Sequence, residues 1–202
     1  VETKKSRQTG RPRGFDADEA LERAMLVFWE LGYEGASLSN LTDAMGISTT
    51  SMYAAFGNKE ELFRKALERY TEGPSEYLAG ALEEPTALGV ATAILAGVIR
   101  TTTRPTGPHG CLGVQGALAT GESGHAVRDL LAAWRNNGCS RVRERFQRAV
   151  DDGDLPPETD PALLARYVTT LAFGIAVQAA SGVDRGELQE MADAALRNWP
   201  LA

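Results

Sequence analysis

Between positions 48 and 59 the chain places six side chains that suit contact with a polyanion or with base edges: Ser48, Thr49, Thr50, Ser51, Tyr53 and Lys59. Short hydroxyls can hydrogen-bond base edges, and a methyl such as that of Ala54 can meet a thymine methyl. Tyr53 lies one turn beyond Thr49 and Thr50, within reach of a phosphate. Lys59 falls in the first turn of a helix opening at Asn58, where its charge adds to free N–H groups and the positive end of the helix dipole. Ser37, at the start of another short helix, offers a further contact of that kind. Helical residues 49–56 contain no Arg or Lys, so they hold no bidentate guanine reader. Upstream, Gly10-Arg11-Pro12-Arg13-Gly14 is an extended basic unit slim enough for a minor groove. The same residues also read as a solvated tail.

These side chains need a rigid frame, and the sequence supplies one. Asp16, with Glu19 three residues on, opens a first helix whose apolar positions are Leu21, Ala24, Met25, Phe28, Trp29 and Leu31. Gly32 ends it. Ser37 caps a second helix carrying Leu38, Leu41, Ala44 and Met45. Gly46 turns the chain, Ile47 packs beneath the turn, and Ser48 caps a third helix ending near Phe56. Asn58 and Glu61 then form a capping-box pattern before Leu62, Phe63, Ala66, Leu67 and Tyr70. Two short helices about a glycine turn, braced by a third, are the geometry that sets one helix in a major groove.

Leu41, Gly46, Ile47, Ser48, Tyr53, Phe56, Lys59, Glu60, Leu62 and Phe63 resemble the DNA-binding domain of the tetracycline-repressor (TetR) family, with the spacing intact over about 50 residues. Two positions depart from the family pattern. Thr42 stands where a small Ala is common, and Ala55 where His or Tyr often supplies a phosphate contact. The resemblance implies an all-α chain of about nine helices. It would comprise a flexible basic arm (1–15), a helix-turn-helix domain (16–72) and a larger helical domain (73–202) that dimerises and binds a ligand. It implies a sequence-specific transcriptional regulator, a ligand-released repressor, that binds a palindromic double-stranded operator as a homodimer. Arg11, Arg13, Ser37, Ser48, Thr49, Thr50, Ser51, Tyr53 and Lys59 are the expected DNA contacts.

Composition agrees with a helical protein: 43% of residues are hydrophobic and only 7% aromatic, so small aliphatic side chains fill the core. The net charge of −6 hides an asymmetry. Lys4, Lys5, Arg7, Arg11 and Arg13 face Glu2 alone in the first fifteen residues. The two cysteines, Cys111 and Cys139, form no disulfide framework and fit a reducing cytoplasm. No uninterrupted apolar run of membrane-spanning length appears, and the basic start lacks the apolar stretch of a signal peptide. Neither membrane nor cofactor is therefore expected.

Beyond Gly73-Pro74 lie a short helical piece (75–84), an apolar helix (86–103) and a glycine-spaced segment (110–120). Gly110, Gly113 and Gly116 would share one face of a weak helix there. A long helix follows over 122–152. Its Arg135, Arg141, Arg143, Arg145 and Arg148 read as a solvated face with ion pairs. Two amphipathic helices close the chain. By position in the family they supply a dimer interface: Leu164, Tyr167, Leu171, Ile175, Leu188, Met191 and Ala195. A small apolar or amphipathic ligand is expected among Leu95, Ile99, Cys111, Gln115, Trp134 and Phe173. An alternative is a thiol-based electrophile or redox sensor, because a helix N-terminus lowers the pKa of a thiol at Cys111. A further alternative is an all-α enzyme, but paired acids, a triad and a metal set are all missing. His109 with Cys111 makes a poor dyad.

Overall fold

The computed structural model describes residues 14–117, 121, 124–197 and 199, and every regular element among them is helical. In chain order these are α1 (Ala17–Gly35), α2 (Leu38–Met45), α3 (Thr49–Phe56), α4 (Lys59–Glu72), α5 (Tyr77–Ala81), α6 (Ala87–Thr102), α7 (Leu112–Gln115), α8 (His125–Asp151), α9 (Pro161–Ala180) and α10 (Arg185–Leu196). Local chemistry sets the starts. Asp16, Ser37, Ser48, Asn58, Thr86, Asp160 and Asp184 each accept a backbone N–H of the turn they precede. Glu19 does not complete a box with Asp16, because its carboxylate pairs with Arg23.

α1 breaks at Gly32 (φ 69°, ψ 175°), a backbone setting that favours glycine. The break leaves Leu31 on the surface rather than in the expected apolar stripe. It also frees Tyr33 N–H to donate to the Gly116 carbonyl at 2.8 Å. Met25, Phe28, Trp29, Leu41, Met52, Leu62 and Phe63 form a closed core under α1–α4, with Phe28 edge-on to Phe63. That core continues past residue 73. Trp29 donates its indole N–H to the Gly110 carbonyl at 3.1 Å and stands edge-on to Tyr70. α6 runs through the middle of the second half, packed by α5, α9 and α10, with Val90, Ile94, Leu95, Val98 and Ile99 buried.

Two expectations change. The glycine-spaced segment is not a helix of three glycines on one face. Gly110 is left-handed (φ 79°), Cys111 is extended, and only Leu112–Gln115 make a turn. The Gly110 and Gly116 carbonyls serve the reader instead of a helical ladder. On α8, Arg145 is buried and donates to the Glu84 carbonyl at 2.7 Å, and half-buried Arg135 donates to the Gly113 carbonyl at 2.8 Å. Arg145 thus ties α8 to the α5–α6 loop and Arg135 ties it to α7, rather than joining a solvated row.

Candidate nucleic-acid interface

The candidate reader is built from three reciprocal or single caps. Ser37 and Asn40 satisfy each other's backbone N–H groups at 3.0 Å and fix the start of α2. Gly46 (φ 68°) closes α2, and Ile47 N–H reaches back to the Thr42 carbonyl at 3.1 Å. Thr42 is accommodated by burial of its side chain, with its hydroxyl donating to the Leu38 carbonyl at 2.9 Å. Ser48 Oγ accepts the Ser51 N–H at 3.2 Å, and the two hydroxyls lie 3.0 Å apart. Met52 and Phe56 anchor α3 to the core. Its outward face then presents Ser48, Thr49, Thr50, Tyr53 and Ala54 to solvent, with Ser51 half-buried. Ser37 is also exposed.

Lys59 sits less freely than its position suggests. Its ammonium lies 4.5 Å from the centre of the Tyr33 ring, and partial burial lowers its pKa against the opposing pull of Glu34. Two other cations brace the reader without any local sequence signal. Lys65 donates to the Phe56 carbonyl at 3.1 Å, closing the end of α3. Arg23 reaches the Ala44 carbonyl at 3.5 Å beside the glycine turn. A concavity of about 440 Å³ runs along α3 between Gly14, Phe15, Gly46, Ser48, Ser51 and Ala54. Phe15 packs 6.4 Å from Phe56. The root of the basic arm therefore lies against α3. Arg11 and Arg13 are outside the described residues.

A second cavity of about 420 Å³ opens between α4, α5, α8 and α9. Trp134 and Phe173 line it, as do Tyr77, Leu78, Ile94 and Val142. Leu95, Ile99 and Cys111, expected there from the sequence, are instead sealed in the core, and Gln115 lies outside the lining. The Cys111 thiol accepts a hydrogen bond from the Tyr70 hydroxyl at 3.1 Å. Burial raises its pKa and outweighs the neighbouring hydrogen bonds and Arg135. The thiol-activating effect expected of a helix start is thus overcome, and the four-residue α7 is too short to supply a substantial dipole. Among the described residues there is no metal-holding cluster.

Comparison with known proteins accounts for both halves. Residues 20–66 match the model of bacterial regulatory proteins of the tetR family, and residues 87–195 match the tetracyclin repressor-like C-terminal domain. The chain is 32% identical over 201 residues to the HTH-type transcriptional repressor ComR of Escherichia coli, covering 98% of this chain and 94% of that one. It is 31% identical over 193 residues to the HTH-type transcriptional regulator YezE of Bacillus subtilis, covering 93% and 97%. A cysteine mutant of the TetR family regulator CifR, solved with 26-bp double-strand operator DNA, superimposes with a TM-score of 0.91 at 45% identity, covering 95% of this chain and all of that one. The chain belongs to the TetR family. That family consists of transcriptional regulators, which is not an enzyme class.

The dimer contacts expected from the sequence lie on α9 and α10, and the structure divides them. Leu164, Ile175 and Leu188 point into this chain's own core. Tyr167, Leu171 and Ala195 are half-buried, and Met191 is exposed. The outward face of α9 also carries Leu163, at 60% exposure, and Val177, at 45%, neither of which was expected there. α9 has the length and apolarity of a membrane span, yet its inner side packs on α6 and α8. Its remaining apolar residues form a second face.

Proposed function

We propose that this TetR-family regulator is a sequence-specific repressor that binds a palindromic double-stranded operator as a homodimer and is released by a small apolar or amphipathic molecule. Residues 16–72 read the major groove, residues 1–15 reach the adjacent minor groove, and residues 73–202 pair the subunits and hold the effector. The protein works in the cytoplasm, where bacterial DNA is found. The observation that carries the reading is the α3 face. Ser48, Thr49, Thr50, Tyr53 and Ala54 stand outward on a helix pinned at both ends, in a chain that superimposes on one solved with operator DNA. The outward apolar positions of α9 support pairing, and the cavity behind α4 supports effector control.

The test is a nuclease footprint over the DNA flanking the protein's own gene. The expected result is one protected palindrome whose half-sites lie about 34–36 Å, or a multiple of that, apart. Protection without sequence preference would make this an architectural protein instead. The thiol-sensor reading has the burial of Cys111 against it. Mass spectrometry after electrophile treatment of the folded protein should find that thiol unmodified.

A further inference from the structure

The effector cavity has a chemical bias beyond being apolar. Its deep wall is Ile94, Val142 and Ala172, with Ser75 and Thr169 also buried, and the Thr169 hydroxyl already donates to the Ala165 carbonyl. Glu72, Glu76 and Arg141 stand exposed at the rim, where water solvates them. Arg135 is different. It is the half-buried charged residue of the lining, and no ion pair to a carboxylate is found for it among the described residues. Its Nη1 donates to the Gly113 carbonyl, a neutral partner. A guanidinium carries five donors in a planar fork suited to a two-oxygen anion. A partly desolvated charge that, among the described residues, faces only a neutral carbonyl gains most from such a partner.

We infer that the cavity takes an amphipathic monoanion, its ring or chain lying on Trp134 and Phe173 and its carboxylate or sulfonate held by Arg135. The inference rests on the effector-released reading above and names the ligand class for that site. It also gives the ligand a path to the reader. Arg135 holds α7 through Gly113, and the same short stretch holds α1 through Gly110 to Trp29 and Gly116 to Tyr33. An anion that draws the guanidinium away from Gly113 loosens the segment on which the end of α1 is hung. Trp134 adds a second link, since its indole N–H donates to the Thr71 hydroxyl of α4 at 2.9 Å and its ring fills the space beside Gly113.

The experiment titrates the full-length dimer with two fluorescent probes of nearly the same body, anionic 8-anilinonaphthalene-1-sulfonate and neutral N-phenyl-1-naphthylamine. The wild type should bind the sulfonate about tenfold or more tighter, the scale of one charge-assisted contact. Arg135→Met should erase that preference while still binding the neutral probe, which also shows that the variant is folded. Arg135→Lys should retain part of the preference. Equal affinity for the two probes in the wild type, an unchanged preference in Arg135→Met, or no binding of the sulfonate would each overturn the inference. Operator affinity measured with and without the sulfonate separates the two levels. Arg135-dependent binding that leaves operator affinity unchanged would refute effector release and leave the anion site standing.

Discussion

Gly57 joins the proposed recognition helix to α4, and replacing it with alanine gives a sharp test of how the reader is held. The residue sits at φ 80°, ψ −149°, a region open to little besides glycine, so a side chain there costs about 1–3 kcal/mol in backbone strain. A Cβ at that position would also lie 1.7 Å from Glu61 Oε2 and 2.7 Å from its Cδ. Glu61 must therefore swing away, and its bond from Asn58 N–H, 2.9 Å long, is lost for about 1 kcal/mol more. The sum for Gly57→Ala is about 2–4 kcal/mol, whereas Glu61→Ala removes only the capping contact and should cost about 1 kcal/mol. In the Glu61→Ala background, Gly57→Ala should cost only its backbone share, so the two changes are less than additive. Urea denaturation of the four proteins of the cycle measures all of this. If Gly57→Ala were no worse than Glu61→Ala, the glycine would not be holding a conformation that other residues avoid, and the account of the α3–α4 joint would fail.

Two further outcomes follow from the structure. Burial is the first cause of the raised pKa values of Tyr70, Tyr77 and Cys111, and each of these groups is charged only when deprotonated. The folded state keeps their protons to higher pH than the unfolded chain, whose thiol and phenols titrate near 9.0 and 10.0. Stability from these groups is thus complete at neutral pH and falls as pH rises through that window; a urea midpoint that stays flat or climbs there would contradict the burial. Val177→Glu puts a charge on the outward face of α9 without touching the core, so light scattering should find monomers and operator affinity should drop by more than about tenfold; a dimer that persists would place the pairing surface elsewhere.

The reader was legible because its determinants are local. Ser37 with Asn40, Ser48 with Ser51, and Asn58 with Glu61 each act across three residues, a distance a sequence pattern can show. The all-helical class and most helix bounds followed from the same signals. The segment at 110–116 was misread because its carbonyls are claimed by Trp29 and Tyr33, more than eighty residues earlier in the chain. Glycine spacing alone cannot distinguish a close-packed helix from a strap that turns under another domain. Arg145 was misread for a related reason: a charge row looks solvated until one member finds a carbonyl in a distant loop, here the one between α5 and α6.

The harder failure lies in α9, where the sequence contains the answer but not the means to separate it. Leu164, Val168 and Ile175 are buried within the chain, while Leu163 and Val177 face out, and all five are aliphatic on one twenty-residue helix. Helical periodicity finds a stripe when one face is polar. A helix that serves a core on one side and another surface on the other has no such contrast, and only the packing of α6 and α8 against it shows which residues are spent. The cavity follows the same logic. The sequence offers Leu95, Ile99, Trp134 and Phe173 alike as apolar candidates for a lining; Trp134 and Phe173 border the cavity, while Leu95 and Ile99 are consumed by the core. What marks this cavity is Arg135, a half-buried charge that, among the described residues, holds only the Gly113 carbonyl. That signal becomes visible once the helices are placed, and it is the reason the ligand proposed for this cavity is an anion rather than any apolar molecule of the right size.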